Sequence, residues 1–81
     1  MNKPLMRQPL SNQPLHKTTR IISVGGERSF RRRLMEMGLL PGTDVVITNV
    51  APLGDPLELQ VRGGRLSIRR HEAHAILVDA T

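Results

Sequence analysis

Cysteine, tryptophan and tyrosine are absent from these 81 residues, and phenylalanine occurs once, at Phe30. Without cysteine there is no disulfide staple and no thiolate zinc site. Single-strand nucleic-acid binders stack bases on aromatic platforms, worth ~1–3 kcal/mol per base. Grooves for proline-rich peptides are also aromatic-lined. One aromatic ring builds neither. No apolar run approaches the ~18–20 residues of a membrane span. The N-terminus lacks the apolar stretch of a secretory signal. The expectation is a soluble, cytoplasmic protein with no direct membrane insertion.

Acidic residues are scarce: seven against twelve Lys and Arg, for a net charge of +5. The excess is unevenly placed. Residues 1–19 hold Lys3, Arg7 and Lys17 and no acid, so they carry +3, and residues 20–81 carry only +2. A mildly basic domain is a weak case for nucleic acid as partner. Enzymatic groupings are missing as well. No spacing points to a Ser-His-Asp arrangement. Gly25-Gly26 and Gly63-Gly64 lack the Lys-Ser/Thr element of a phosphate loop. The reading is a binding module, not an enzyme.

What is present is mostly backbone grammar. Residues 1–13 are polar and basic, and read as a flexible tail whose Pro-Leu pairs are too few to pack. Leu15, leading into the first strand, is a candidate cover for the core. Arg20 to Val24 is β-branched and strand-like. Ser29 is placed to cap a helix over about 29–38. Phe30, Leu34 and Met37 form its apolar face. Gly38 suits the left-handed residue after a helix, Leu39 folds back on the helix end, and Pro41-Gly42 fits a type II turn. Thr43 to Val50 is the longest strand. Leu57, Leu59 and Val61 alternate with polar residues. Gly63-Gly64 reads as a tight hairpin turn into Arg65 to Arg69. His71 to Ala75 is one helical turn, and Ile76 to Asp79 a closing strand. About five short strands in so few residues predict a mainly β, small and highly curved barrel.

Three runs carry a resemblance. They are Arg33-Leu34-x-x-x-Gly38-Leu39-x-Pro41-Gly42, Ala51-Pro52-Leu53-Gly54-Asp55-Pro56, and Leu66-Ser67-Ile68-Arg69-Arg70 followed by Glu72-Ala73. Residues 14–81 resemble the FeoA family of the bacterial ferrous-iron uptake system. The resemblance implies an SH3-like barrel and a non-enzymatic accessory role in Fe(II) transport. It implies docking on the GTPase-containing cytoplasmic region of the large membrane transporter, peripheral to the bacterial inner membrane through that partner. It also implies a weaker link to transition metals. A metal-responsive or nucleic-acid-binding regulator module is the alternative.

The expected partner-binding residues are Arg33, Gly38, Leu39, Leu40, Pro41, Gly42, Pro52, Leu53, Gly54, Asp55, Pro56 and Arg69. Arg33 and Arg69 are expected to orient loops or partners through bidentate bonds. For the leucines and prolines, core closure is the competing reading. His71, Glu72 and His74 are the one metal-like cluster. It offers three ligands where a closed zinc site takes four, so adventitious Zn or Fe fits better than a required cofactor. A weak homodimer is also open.

Overall fold

The computed structural model describes residues 6–81. Residues 1–5, including Lys3 and the first Pro-Leu pair of the expected tail, lie outside the described residues.

All five expected strands are present, and a sixth precedes them. β1 (Arg7–Pro9) is followed by a 3-10 turn (Leu10–Asn12), β2 (Thr19–Val24), α1 (Arg28–Glu36), β3 (Asp44–Val50), β4 (Leu57–Val61), β5 (Gly64–Ile68), α2 (Arg70–His74) and β6 (Ile76–Asp79). They form one sheet in the order β1-β6-β2-β3-β4-β5. Every neighbouring pair is antiparallel. The register shifts between Ile21 and Ser23 in β2 and between Ile47 and Asn49 in β3. Each irregularity adds bend and twist, so the sheet curls around its apolar face. The fold is mainly β and SH3-like.

The core lies inside that curl. Ile21, Val45, Leu57, Leu59, Ile76 and Val78 are each at most 1% exposed. Alternation supplies them directly: Leu57, Leu59 and Val61 point inward while Glu58 and Gln60 face water.

The N-terminal segment corrects the expected tail. Arg7–Pro9 pairs with β6 in the register Arg7↔Asp79 to Pro9↔Leu77. Leu10 is 1% exposed and belongs to the core. Leu15, the expected cover, is exposed. Buried Gln13 bonds back to the Gln8 side chain and the Pro9 carbonyl. The physical reason is an edge: without β1, one side of β6 would present unpaired backbone groups.

Helix α1 begins one residue earlier than expected. Glu27, not Ser29, is its N-cap. The Glu27 carboxylate accepts from the Ser29 N–H at 3.0 Å and from the Ser29 hydroxyl at 2.9 Å. These bonds, the backbone one first, hold its carboxyl below the usual range. At the other end Gly38 has φ +100. The Leu39 N–H donates to Leu34 O at 3.2 Å and the Gly38 N–H to Met35 O at 3.0 Å. This paired closure throws Leu39 into the core at 0% exposure. Met37, expected on the apolar face, sits at the cap and stays exposed. Pro41-Gly42 turns as expected. Gly42 has φ +87, and the Thr43 N–H donates to Leu40 O. The β4–β5 turn is one residue off the expectation: Val61 pairs with Gly64, so Arg62-Gly63 makes the turn.

Leu10→Ala is expected to lower unfolding free energy by about 2–5 kcal/mol, as for a core leucine. Denaturant titration checks it, and an unchanged midpoint would return residues 7–13 to a loose tail. Gly38→Ala is expected to cost about 1–3 kcal/mol. Its added Cβ meets only Val61 Cγ2 at 3.8 Å, so the loss is backbone strain and not a clash.

Candidate docking surface

The loop between β3 and β4 is tied down at several points and bare at its tip. The Gly54 N–H donates to Ala51 O at 2.8 Å, and the Ala51 N–H to Pro56 O at 3.1 Å. Asp55 Oδ1 accepts from the Arg70 N–H at 2.8 Å. The Arg70 side chain donates from Nε to Gly54 O at 3.0 Å and from Nη1 to Ser11 O at 3.1 Å. One arginine thus joins this loop to the N-terminal 3-10 turn. At the tip Leu53 is 98% exposed, beside exposed Pro52.

Arg70 was missed by sequence reasoning, which gave the orienting role to Arg33 and Arg69. The Arg69 side chain is exposed and makes no hydrogen bond or ion pair among the described residues. Arg33 does bridge elements: its Nη2 pairs with Glu72 Oε2, tying α1 to α2. Its guanidinium also lies 5.8 Å from the Phe30 ring centroid, within cation–π range.

Glu72, in the middle of the expected metal cluster, already has partners. Its Oε1 accepts from the Arg69 N–H at 2.7 Å while Oε2 holds Arg33. The carboxylate is therefore committed to capping α2 and to an ion pair. Among the described residues no group of three His, Asp or Glu side chains could hold a metal ion. His71 and His74 are exposed, and His74 Nδ1 lies 3.4 Å from Ser11 Oγ. The three-ligand site at His71, Glu72 and His74 is not formed.

The two expected docking loops do not make one surface. Residues 38–43 lead into β3 and residues 51–56 leave it, so a seven-residue strand separates them. At the strand rise of ~3.4 Å per residue, they stand about 20 Å apart. Leu39 is core and is removed from the expected interface set. Gly38, Gly42 and Gly54 serve backbone shape. Leu40, Pro41, Pro52 and Leu53 remain exposed. At the first end, Met37, Leu40, Val61 and Leu66 line a shallow groove of about 370 Å³. On the outer face of α1, Arg28, Arg31 and Arg32 are exposed and pair with no carboxylate among the described residues.

The geometry defines a small SH3-like β domain that presents one rigid leucine-tipped loop, an apolar groove and a basic helix face. The FeoA domain model matches residues 8–80, and the chain belongs to the FeoA family. The match begins within β1 and so includes buried Leu10. A fusion of Fe(2+) transport protein A with the Fe(2+) transporter FeoB from Porphyromonas gingivalis is 36% identical over 59 residues, 73% of this chain. The match spans about 7% of that relative's length. The solved structure of a FeoA-like protein from Clostridium acetobutylicum is 37% identical, with a TM-score of 0.83 over 90% of this chain and 85% of that one. The Stenotrophomonas maltophilia FeoA complexed with zinc, described as an SH3 domain protein, is 36% identical. Its TM-score is 0.76 over 88% of each chain.

Arg70→Ala is expected to lower stability by about 1 kcal/mol through two lost side-chain bonds, and to speed amide exchange at Gly54. Arg70→Lys is expected not to restore protection, because an ammonium cannot span two carbonyls as a guanidinium does. Hydrogen exchange read by NMR checks both, and native protection in Arg70→Ala would remove the clamp.

Proposed function

We propose that this protein is a non-enzymatic accessory component of ferrous-iron transport. It docks on the cytoplasmic, GTPase-containing region of the membrane Fe(II) transporter through its Leu53 loop. The observation that carries the reading is Leu53 itself, 98% exposed on a loop fixed by Arg70. A loop already held in one shape loses little entropy on binding. Family membership, and the relative in which the transport protein and the transporter share one chain, supply the partner. Among the described residues no helix is long and apolar enough to cross a membrane, so membrane contact comes through the partner. Regulation then follows from differential affinity: the protein favours whichever nucleotide state of the transporter it binds more tightly.

Calorimetric titration against the transporter's soluble GTPase region, without nucleotide, with GDP and with a non-hydrolysable GTP analogue, tests the reading. Binding is expected to differ between states. Burying one leucine is worth about 1.5–3 kcal/mol, so Leu53→Asp is expected to weaken binding by roughly tenfold or more. Its melting temperature should not change. Absence of binding in every state by folded protein would reject the proposal.

A further inference from the structure

The groove at the opposite end of β3 is left unused by that reading. Met37 and Leu40, 36% and 42% exposed, form one wall with Val61 and Leu66 beneath, and Arg62 and Arg65 stand at the rim. Neither arginine pairs with a carboxylate among the described residues. The occupant that fits is an aliphatic side chain on a segment bearing a carboxylate. The chain presents such a segment itself. Leu53 has no packing partner, and Asp55, two residues on, has only Oδ1 bonded within the chain. The loop cannot reach its own groove, since about 20 Å of strand lies between them.

We propose that the groove receives the Leu53 loop of a second copy of this chain, with Asp55 facing Arg62 and Arg65. Projecting loop and receiving groove sit at opposite ends, so the contact is head-to-tail. Such a heterologous contact closes into a ring or grows as an open chain, according to the rotation between copies. The contact is small, well under the ~1,000 Å² of stable interfaces, so dissociation constants fall at roughly 0.1–1 mM. The inference uses the same Leu53 as the docking reading and adds a regulation to it. A loop seated in a neighbouring copy is unavailable to the transporter, so self-association competes with docking.

Sedimentation equilibrium of the isolated protein, from about 10 μM to about 2 mM, reads this without the transporter. Failure of the docking reading would therefore leave the result unaffected. The wild-type weight-average mass is expected to rise with concentration above that of one chain. Leu53→Asp and Leu40→Glu are each expected to remain monomeric. Their equimolar mixture is expected to form a dimer and stop, because one intact loop and one intact groove remain. Circular dichroism confirms the folds, and Leu40→Gln replaces Leu40→Glu should the latter unfold. A wild type that stays monomeric throughout, a closed dimer unaffected by either variant, or a mixture that does not pair would overturn the proposal.

Discussion

A helix of five residues has no stability of its own in water, so α2 exists because of what its first amides meet. Asp55 accepts from the Arg70 N–H and Glu72 from the Arg69 N–H. Ala73, 0% exposed, plugs the helix into the core. The same few residues reach outward. Glu72 holds Arg33 on α1, and Arg70 holds the Gly54 and Ser11 carbonyls. Helix α1, the β3–β4 loop and the N-terminal turn are therefore fixed relative to one another at one short helix. The cap is one-sided: Arg69 occupies the N-cap position, and a guanidinium has no acceptor to return. The carboxylates supply what a Ser or Asp cap would have supplied.

That arrangement separates shape from presentation. The groups that hold the loop are polar and bond to carbonyls and amides, and Leu53 at the tip takes no part in holding it. Leucine 53 is left bare by construction, while Leu39, also a loop leucine, is drawn into the core by the paired bonds that close α1. Among the described residues no buried side-chain nitrogen or oxygen lacks a partner. Of the exposed large apolar side chains among the described residues, Leu53 lies at one end of β3 and Met37 and Leu40 at the other, while Met6 and Leu15 lie on the N-terminal segment.

β4 was legible because alternation of period two runs through it, and Arg20 to Val24 because it is β-branched, since a register shift breaks its alternation. The close of α1 was legible because only a glycine takes φ +100 without strain. β1 was not, since Arg7-Gln8-Pro9 has no alternation and its partner strand lies at the far end of the chain. Leu10 was missed with it: a single leucine beside a proline carries no period. Leu39 and Leu53 could not be told apart, because both are leucines in loops next to glycine. Their burial depends on hydrogen bonds made by neighbours. Arg70 was hidden in an Arg-Arg pair, where sequence does not say which side chain turns inward. The expected metal cluster is a related case: spacing put two histidines and a carboxylate together, but did not show that Arg33 pairs with the carboxylate.

Charge separates stability from association in this molecule. Only two ion pairs form among the described residues, Arg20–Asp44 and Arg33–Glu72, and both guanidiniums are mostly exposed. Such pairs contribute little, about 0–1 kcal/mol each, and salt screens them. The fold therefore rests mainly on its core and backbone bonds, and its stability is expected to change little with ionic strength. Arg28, Arg31 and Arg32 on α1, with Arg62 and Arg65 at the groove, lack such partners. Their field extends into solvent and acts on whatever approaches, raising encounter rates with acidic surfaces more than it raises final affinity. Salt should accordingly slow association while leaving the unfolding transition in place. A chain stabilised by its own ion-pair network would lose both together.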